Sequence, residues 1–217
     1  IMLCKITDAV YFTNPNANFW LIEGCVFTNS AHCIRGNGQA VGDLVCRNNI
    51  INGDVFQFNG GYIGYNYFNN NIFLSASAYT FQYCSYFYIN SNVFYRSGMQ
   101  DYGNTGLVFN KNCSYQCSGG NTFPNGVNFV NINPMFVSSI GSGAYFDYAT
   151  DYHLQSSSPL MNAGGDGTDL GVYGGYGDYE QYGVSHNPYI KTFNITGSTS
   201  VNAGDPIQIY IKAKVRN

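Results

Sequence analysis

"CRNNIINGDVFQFNGGYIGYNYFNNNIFLSASAYTFQYCSYFYINSNVFYR", residues 46 to 96, carries the pattern that decides the fold. An Asn followed by a β-branched residue and a second apolar residue recurs as "NII" at 49, "NIF" at 71 and "NVF" at 92, in steps of 22 and 21 residues. Too short for a helix pair, such a step holds two or three short strands with tight turns, the mark of a solenoid whose coils stack in register.

Working outward, two families of apolar segments alternate over residues 1 to 125. One comprises "DAVYF" (8 to 12), "HCIRG" (32 to 36), "DVFQF" (54 to 58), "AYTFQ" (78 to 82) and "LVFNK" (107 to 111). The other comprises "IEGCVF" (22 to 27), "CRNNII" (46 to 51), "FNNNIF" (68 to 73), "INSNVF" (89 to 94) and "SGGNTF" (118 to 123). In the second family Val26, Ile50, Ile72, Val93 and Thr122 are separated by 24, 22, 21 and 29 residues. The long last step contains "RSGMQDYGNTG" (96 to 106), which reads as a loop inserted between regular coils.

Asn49, Asn71, Asn92 and Asn121 hold one place in four coils, with Cys25 in the matching place of the first. Asn tolerates left-handed backbone angles, and its amide can bond the coils on either side. A stacked asparagine ladder is therefore expected at this corner.

At these residues the chain resembles the right-handed parallel β-helix, or pectin-lyase-like, superfamily. A second resemblance covers "NPMFVSS" (133 to 139), "DYHLQSSSPLMNAG" (151 to 164) and "DGTDLGVYGG" (166 to 175). These segments are similar to the closing coil of secreted and surface-anchored bacterial β-helix proteins. The resemblance implies an all-β fold: a right-handed parallel β-helix over 1–175, closed by a coil over 133–175 in which Leu154, Leu160, Met161, Leu170 and Val172 point inward. A Tyr/Gly-rich linker (176–188) and a C-terminal β-hairpin tail (189–217) follow. The pattern is already strand-like at Ile1, so further coils are expected upstream.

Composition excludes several classes. Charged residues make up 10% of the chain, the formal charge is -3, and no Lys/Arg cluster offers a footprint for nucleic acid. Gly, Asn or Ser interrupts every apolar run, so no membrane span is expected. Three histidines in unrelated contexts predict no metal site, and no cofactor motif is present. "DGTD" at 166 reads as a turn.

Relatives that cleave acidic polysaccharides need carboxylates converging at one corner of adjacent coils. Here Glu23 and Arg47 share a column with Asn69 and Asn90, which reads as a surface ion pair in preference to a sugar-binding or catalytic row. The aromatic content of 17% is more informative. Alternation should place several of Tyr62, Tyr65, Tyr67, Tyr86 and Tyr88 outside, where Tyr beside Asn suits stacking on sugar rings or packing against protein.

Of seven cysteines, Cys33 and Cys46 are expected inside the coils, while Cys113 and Cys117 are close enough in sequence to bridge. "NCS" at 112 and "NIT" at 194 match glycosylation sequons. Altogether the sequence predicts a non-catalytic extracellular or cell-surface bacterial protein, structural or adhesive. Its partners would be polysaccharide or other surface proteins, with self-association possible through 189–217. The alternatives are a fragment of a polysaccharide lyase or glycoside hydrolase, and a phage tail-spike or fibre segment.

Overall fold

The computed structural model describes residues 1–13, 18–28, 31–38, 41–58, 66–74, 78–141, 143, 145–177, 179, 189–195 and 209–214. The chain divides into two units, Ile1–Gly183 and Val184–Asn217.

The first unit is an all-β parallel solenoid of about four turns, without a helix among the described residues. With strands numbered in chain order, its first sheet stacks β1 (Lys5–Ile6), β4 (Val26–Phe27), β7 (Ile50–Ile51), β10 (Ile72–Leu74), β13 (Val93–Tyr95) and β15 (Cys113–Tyr115). A second sheet stacks β2 (Val10–Tyr11), β5 (His32–Arg35), β8 (Asp54–Phe58) and β11 (Phe81–Cys84). A third stacks β3 (Asn18–Glu23), β6 (Gly42–Arg47), β9 (Asn66–Asn69), β12 (Phe87–Asn90) and β14 (Val108–Asn110).

Two residues turn the chain from the third sheet into the first. The leading one takes a left-handed angle in every coil: Gly24, Asn48, Asn70, Ser91 and Lys111 have φ of 64°, 53°, 52°, 55° and 55°. The trailing one builds the ladder. Asn49 N–H donates to Asn71 Oδ1 at 3.0 Å, Asn71 N–H to Asn92 Oδ1 at 2.8 Å, Asn92 N–H to Asn112 Oδ1 at 3.0 Å and Asn112 N–H to Asn128 Oδ1 at 2.9 Å. The same oxygens accept from the amide of the rung below, at 2.9 to 3.0 Å. Asn49, Asn71, Asn92 and Asn112 are fully buried, so these bonds satisfy backbone and side-chain groups that water cannot reach.

The fourth predicted rung is corrected by this geometry. Asn112, not Asn121, continues the column, while Asn121 Oδ1 accepts locally from Cys117 N–H at 2.9 Å. The coil shortens to 20 residues there, and the expected insertion at 96–106 is ordinary coil: Tyr102 bridges Gln82 and Thr105 bridges Ser85. A 29-residue step conceals one whole rung. Burial of Asn112 also removes its sequon from reach of a glycosyl transferase in the folded chain.

Inside the coils, like residues pile up. Phe27, Ile51, Phe73 and Phe94 form one inward column of the first sheet, with the Phe73 and Phe94 rings stacked at 4.8 Å, the spacing of neighbouring strands. Cys33 and Cys46 lie in this interior, as expected.

The outward residues of the first sheet build a second core. Val26, Ile50, Ile72, Val93 and Cys113 form an external apolar column, with Leu74 and Tyr95 beside it. Residues 133–179 cover it. Leu160, Leu170, Val172 and Tyr179 are buried there, whereas Leu154 and Met161 are only half-buried. The predicted closing coil is thus a strap laid along the side of the solenoid. It bonds to three successive corners: Gly171 N–H donates to Ser91 O, Asn70 Nδ2 to Asp169 O, and Asn48 Nδ2 to Val172 O and Gly174 O. Those Asn are the left-handed corner residues, so each corner faces the ladder on one side and the strap on the other. Cys113 Sγ donates to Ile132 O beneath this layer, while Cys117 Sγ donates to Phe94 O toward the inner core. The two thiols serve opposite faces and do not bridge.

Buried Tyr179 carries the strap past residue 175; most of the expected linker, 178 and 180–188, lies outside the described residues. In the second unit β16 (Tyr189–Ile195) pairs antiparallel with β17 (Ile209–Lys214), the expected hairpin. Its side chains lie outside the description.

Two outcomes follow. Asn112→Ala strands a buried N–H and carbonyl and should lower unfolding free energy by about 3 kcal/mol, against under about 1 kcal/mol for Asn121→Ala, in urea titration of both variants. Gly171, at φ 84° with Ile72 and Val93 side-chain atoms 3.3 Å from where a Cβ would sit, anchors the strap. Gly171→Val should therefore lift it and speed limited proteolysis within 160–177 before the coils are cut.

Candidate functional site

On the outer face of the third sheet the strand registers assemble two adjacent columns. Leu21, Val45, Tyr67, Tyr88 and Val108 form an apolar and aromatic one. Glu23, Arg47, Asn69, Asn90 and Asn110 form a polar one. Alternation along each strand sends these residues outward while Ile22, Cys46, Phe68, Ile89 and Phe109 fill the core. Tyr67 and Tyr88 stack at 5.4 Å with 29° between planes. Beside them Asn90 Nδ2 reaches Asn69 Oδ1 at 3.4 Å, and Arg47 Nε donates to Glu23 Oε2 at 2.6 Å.

Of the predicted site residues, Tyr67, Tyr88, Glu23 and Arg47 therefore meet on one surface, the last two as an ion pair with the carboxylate buried. Tyr86 is exposed and precedes β12, its ring packed over Gly106. Tyr62 and Tyr65 lie outside the described residues.

A cluster that sequence reading did not assemble stands on the second sheet. His32 Nδ1 lies 2.6 Å from Asp54 Oδ1, and Gln82 Nε2 donates to the other carboxylate oxygen. The imidazole stacks on Phe56 at 4.0 Å and 14°, and Arg35 lies 5.2 Å from the same ring and 5.3 Å from Tyr11. Asp54 is buried, which pushes its carboxyl above the ordinary Asp value, with the His32 and Gln82 bonds acting in the opposite sense. One coil period links the pair, since 54 − 32 is 22, so the spacing that found the ladder also pointed here. The carboxylate orients the imidazole, but no group of three His, Cys, Asp or Glu converges anywhere among the described residues. His153 forms a separate exposed pair with Asp151 at 2.7 Å and stacks on Tyr173.

A cavity of about 200 Å³ opens between the coil of 98–109 and Pro124–Asn125, with Phe81, Phe94, Phe109, Met99 and Leu107 among its apolar lining. The Asn104 and Asn125 amides at its rim are engaged with backbone, donating to Phe81 O at 2.9 Å and Leu107 O at 2.8 Å. Buried thiols are held protonated: desolvation pushes Cys25 up to about 11 and Cys84 up to about 12. In the "DGTD" turn, Asp166 Oδ1 accepts from Thr168 and Asp169 Oδ1 from Asn162 N–H, so both carboxylates serve local backbone geometry. No described helix is long and apolar enough to cross a membrane.

Compared with protein-family models, curated protein sequences and solved structures, the chain finds no match.

The Asp54 shift gives a signed expectation. With the folded pKa raised, Asp54 contributes stability at pH below the unfolded Asp value, and this contribution is lost as pH rises through the folded value. The stability of the native chain relative to Asp54→Asn, which lacks this titration, should therefore fall as pH rises from the ordinary Asp range through the raised folded value, in parallel urea titrations; a rising difference would contradict the assignment.

Proposed function

We propose that this chain is a non-catalytic binding solenoid of an extracellular or cell-surface setting, which holds polysaccharide on the outer face of the third sheet. A right-handed coil of pectin-lyase-like type and a bacterial source belong to the same reading. They are supported by the recurring "NII", "NIF" and "NVF" corners at 49, 71 and 92 and by the likeness of residues 133–175 to the end segments of bacterial surface β-helix proteins.

The carrying observation is the pair of columns on that face. Stacked Tyr67 and Tyr88 present an aromatic strip, and Asn69, Asn90 and Asn110 run alongside it one strand spacing apart. Sugar rings offer apolar C–H faces to aromatic rings and hydroxyls to amides, which both donate and accept. Apart from the self-paired Glu23 and Arg47, the two columns carry no charge, which favours a neutral glycan. A repeating ligand along a repeating row gains by multivalent contact.

A glycan array probed with the full chain, followed by calorimetric titration of the strongest hit, tests this. Replacing both rings (Tyr67→Ala, Tyr88→Ala) should weaken binding about tenfold or more while the melting curve stays cooperative. Unchanged affinity in the double variant, or no glycan bound by the native chain, would overturn it.

A further inference from the structure

Below Asn49 the ladder column changes chemistry. Cys25 N–H donates to Asn49 Oδ1 at 2.8 Å, as each Asn does to the next, so Cys25 is a rung. One coil further, the parallel pairing of Lys5 with Val26 and Ile6 with Phe27 sets Cys4 against Cys25. The Cys4 carbonyl accepts from Val26 N–H at 2.8 Å, repeating the bond from Ile50 N–H to Cys25 O at 2.9 Å and from Ile72 N–H to Asn49 O at 2.9 Å.

The side chains share one orientation as well. Cys25 Sγ lies 3.3 Å from Glu23 O and Cys4 Sγ lies 3.0 Å from Met2 O, each reaching two residues back. Asn92 Nδ2 makes the same contact with Asn90 O at 2.9 Å. Two thiols thus replace two amides in consecutive rungs. In-register parallel neighbours have Cα atoms about 4.8 Å apart, inside the roughly 4.4–6.8 Å range that a disulfide spans.

The remaining thiols differ in setting. Cys33, Cys46 and Cys84 are wholly buried in the inner core, Cys113 lies under the strap, and Cys117 faces Phe94. Cys4 is the exposed thiol of the seven, and its stacking neighbour is Cys25.

We propose that Cys4 and Cys25 form an inter-coil disulfide when the protein meets a low-molecular-weight disulfide such as oxidised glutathione. The Cys4 thiolate attacks one glutathione sulfur, forming a mixed disulfide and expelling the first glutathione thiolate. The Cys25 thiolate then attacks the Cys4 sulfur, so the Cys4–Cys25 bond forms as the second glutathione thiolate leaves. The protein gives up two electrons and two protons, and oxidised glutathione becomes two glutathione thiols. Access sets this order: Cys4 is exposed, and Cys25 is fully buried with its thiol held high by desolvation, which makes the second step the slow one. The bond would fix covalently the two coils that the amide ladder does not join.

The test incubates the full native chain with oxidised glutathione, measures intact mass, then alkylates the remaining thiols and maps the non-reduced peptides. Expected are a loss of about two mass units per chain in intact mass taken before alkylation, and one cross-linked peptide pair joining Cys4 to Cys25 after it. Cys25→Ala should instead stop as a glutathione adduct on Cys4, and Cys4→Ser should take up no glutathione. Persistent adduct on Cys4 in the native chain, no reaction at Cys4, a link from Cys4 to any other cysteine, or a cross-linked dimer would each overturn the assignment. Circular dichroism of both variants verifies that the coils are formed.

Discussion

Everything in the first unit depends on satisfying polar groups at a buried corner. A solenoid that turns in two residues leaves backbone N–H groups pointing along its axis, where no water can reach them. The side-chain oxygen of Asn in the next coil supplies the acceptor, and its amide nitrogen returns a bond toward the coil before. Each rung is complete only when its neighbour is present, so the column is cooperative along the axis. This also dictates the left-handed residue before each rung, since a corner so tight needs one positive φ, where Asn and Gly are at least strain.

That left-handed residue has a second task. Asn48 and Asn70 send their amides outward to the strap, so the corner that builds the inner column also anchors the outer layer. The middle strands of the first sheet are consequently buried on both faces, which explains why they read as "VF", "II", "IFL" and "VFY" with no polar alternation. The third sheet keeps clean alternation, with Tyr67, Tyr88 and the amide row of Asn69, Asn90 and Asn110 on its outer face. Arg96 secures the other end of the covering layer, donating to Gly141 O at 2.9 Å while lying over the Tyr95 ring.

The cysteine column and the His32–Asp54 pair illustrate one consequence of stacking. Residues separated by one period are neighbours whatever their chemistry, so single substitutions in adjacent coils create pairs: an ion pair at Glu23 and Arg47, a hydrogen-bonded dyad at His32 and Asp54, paired thiols at Cys4 and Cys25. A solenoid therefore acquires new chemistry by small changes in one column, without altering the fold.

Sequence alone determined the architecture, because the period of 21 to 24 residues and the Asn before each β-branched residue are local properties that stacking repeats. It also placed Glu23 over Arg47, since register follows from counting, whereas the meeting of Tyr67 with Tyr88 emerged from the assembled sheet. Counting failed where coil length changed: shortening to 20 residues hid Asn112 inside an apparent 29-residue step and lent its place to Asn121. Only the tertiary structure decided where residues 133–179 lie. Their apolar residues match an inward coil and an outward strap equally well, and the choice rests on the external column of Val26, Ile50, Ile72, Val93 and Cys113, whose need for cover is a property of the assembled sheet and of no single segment.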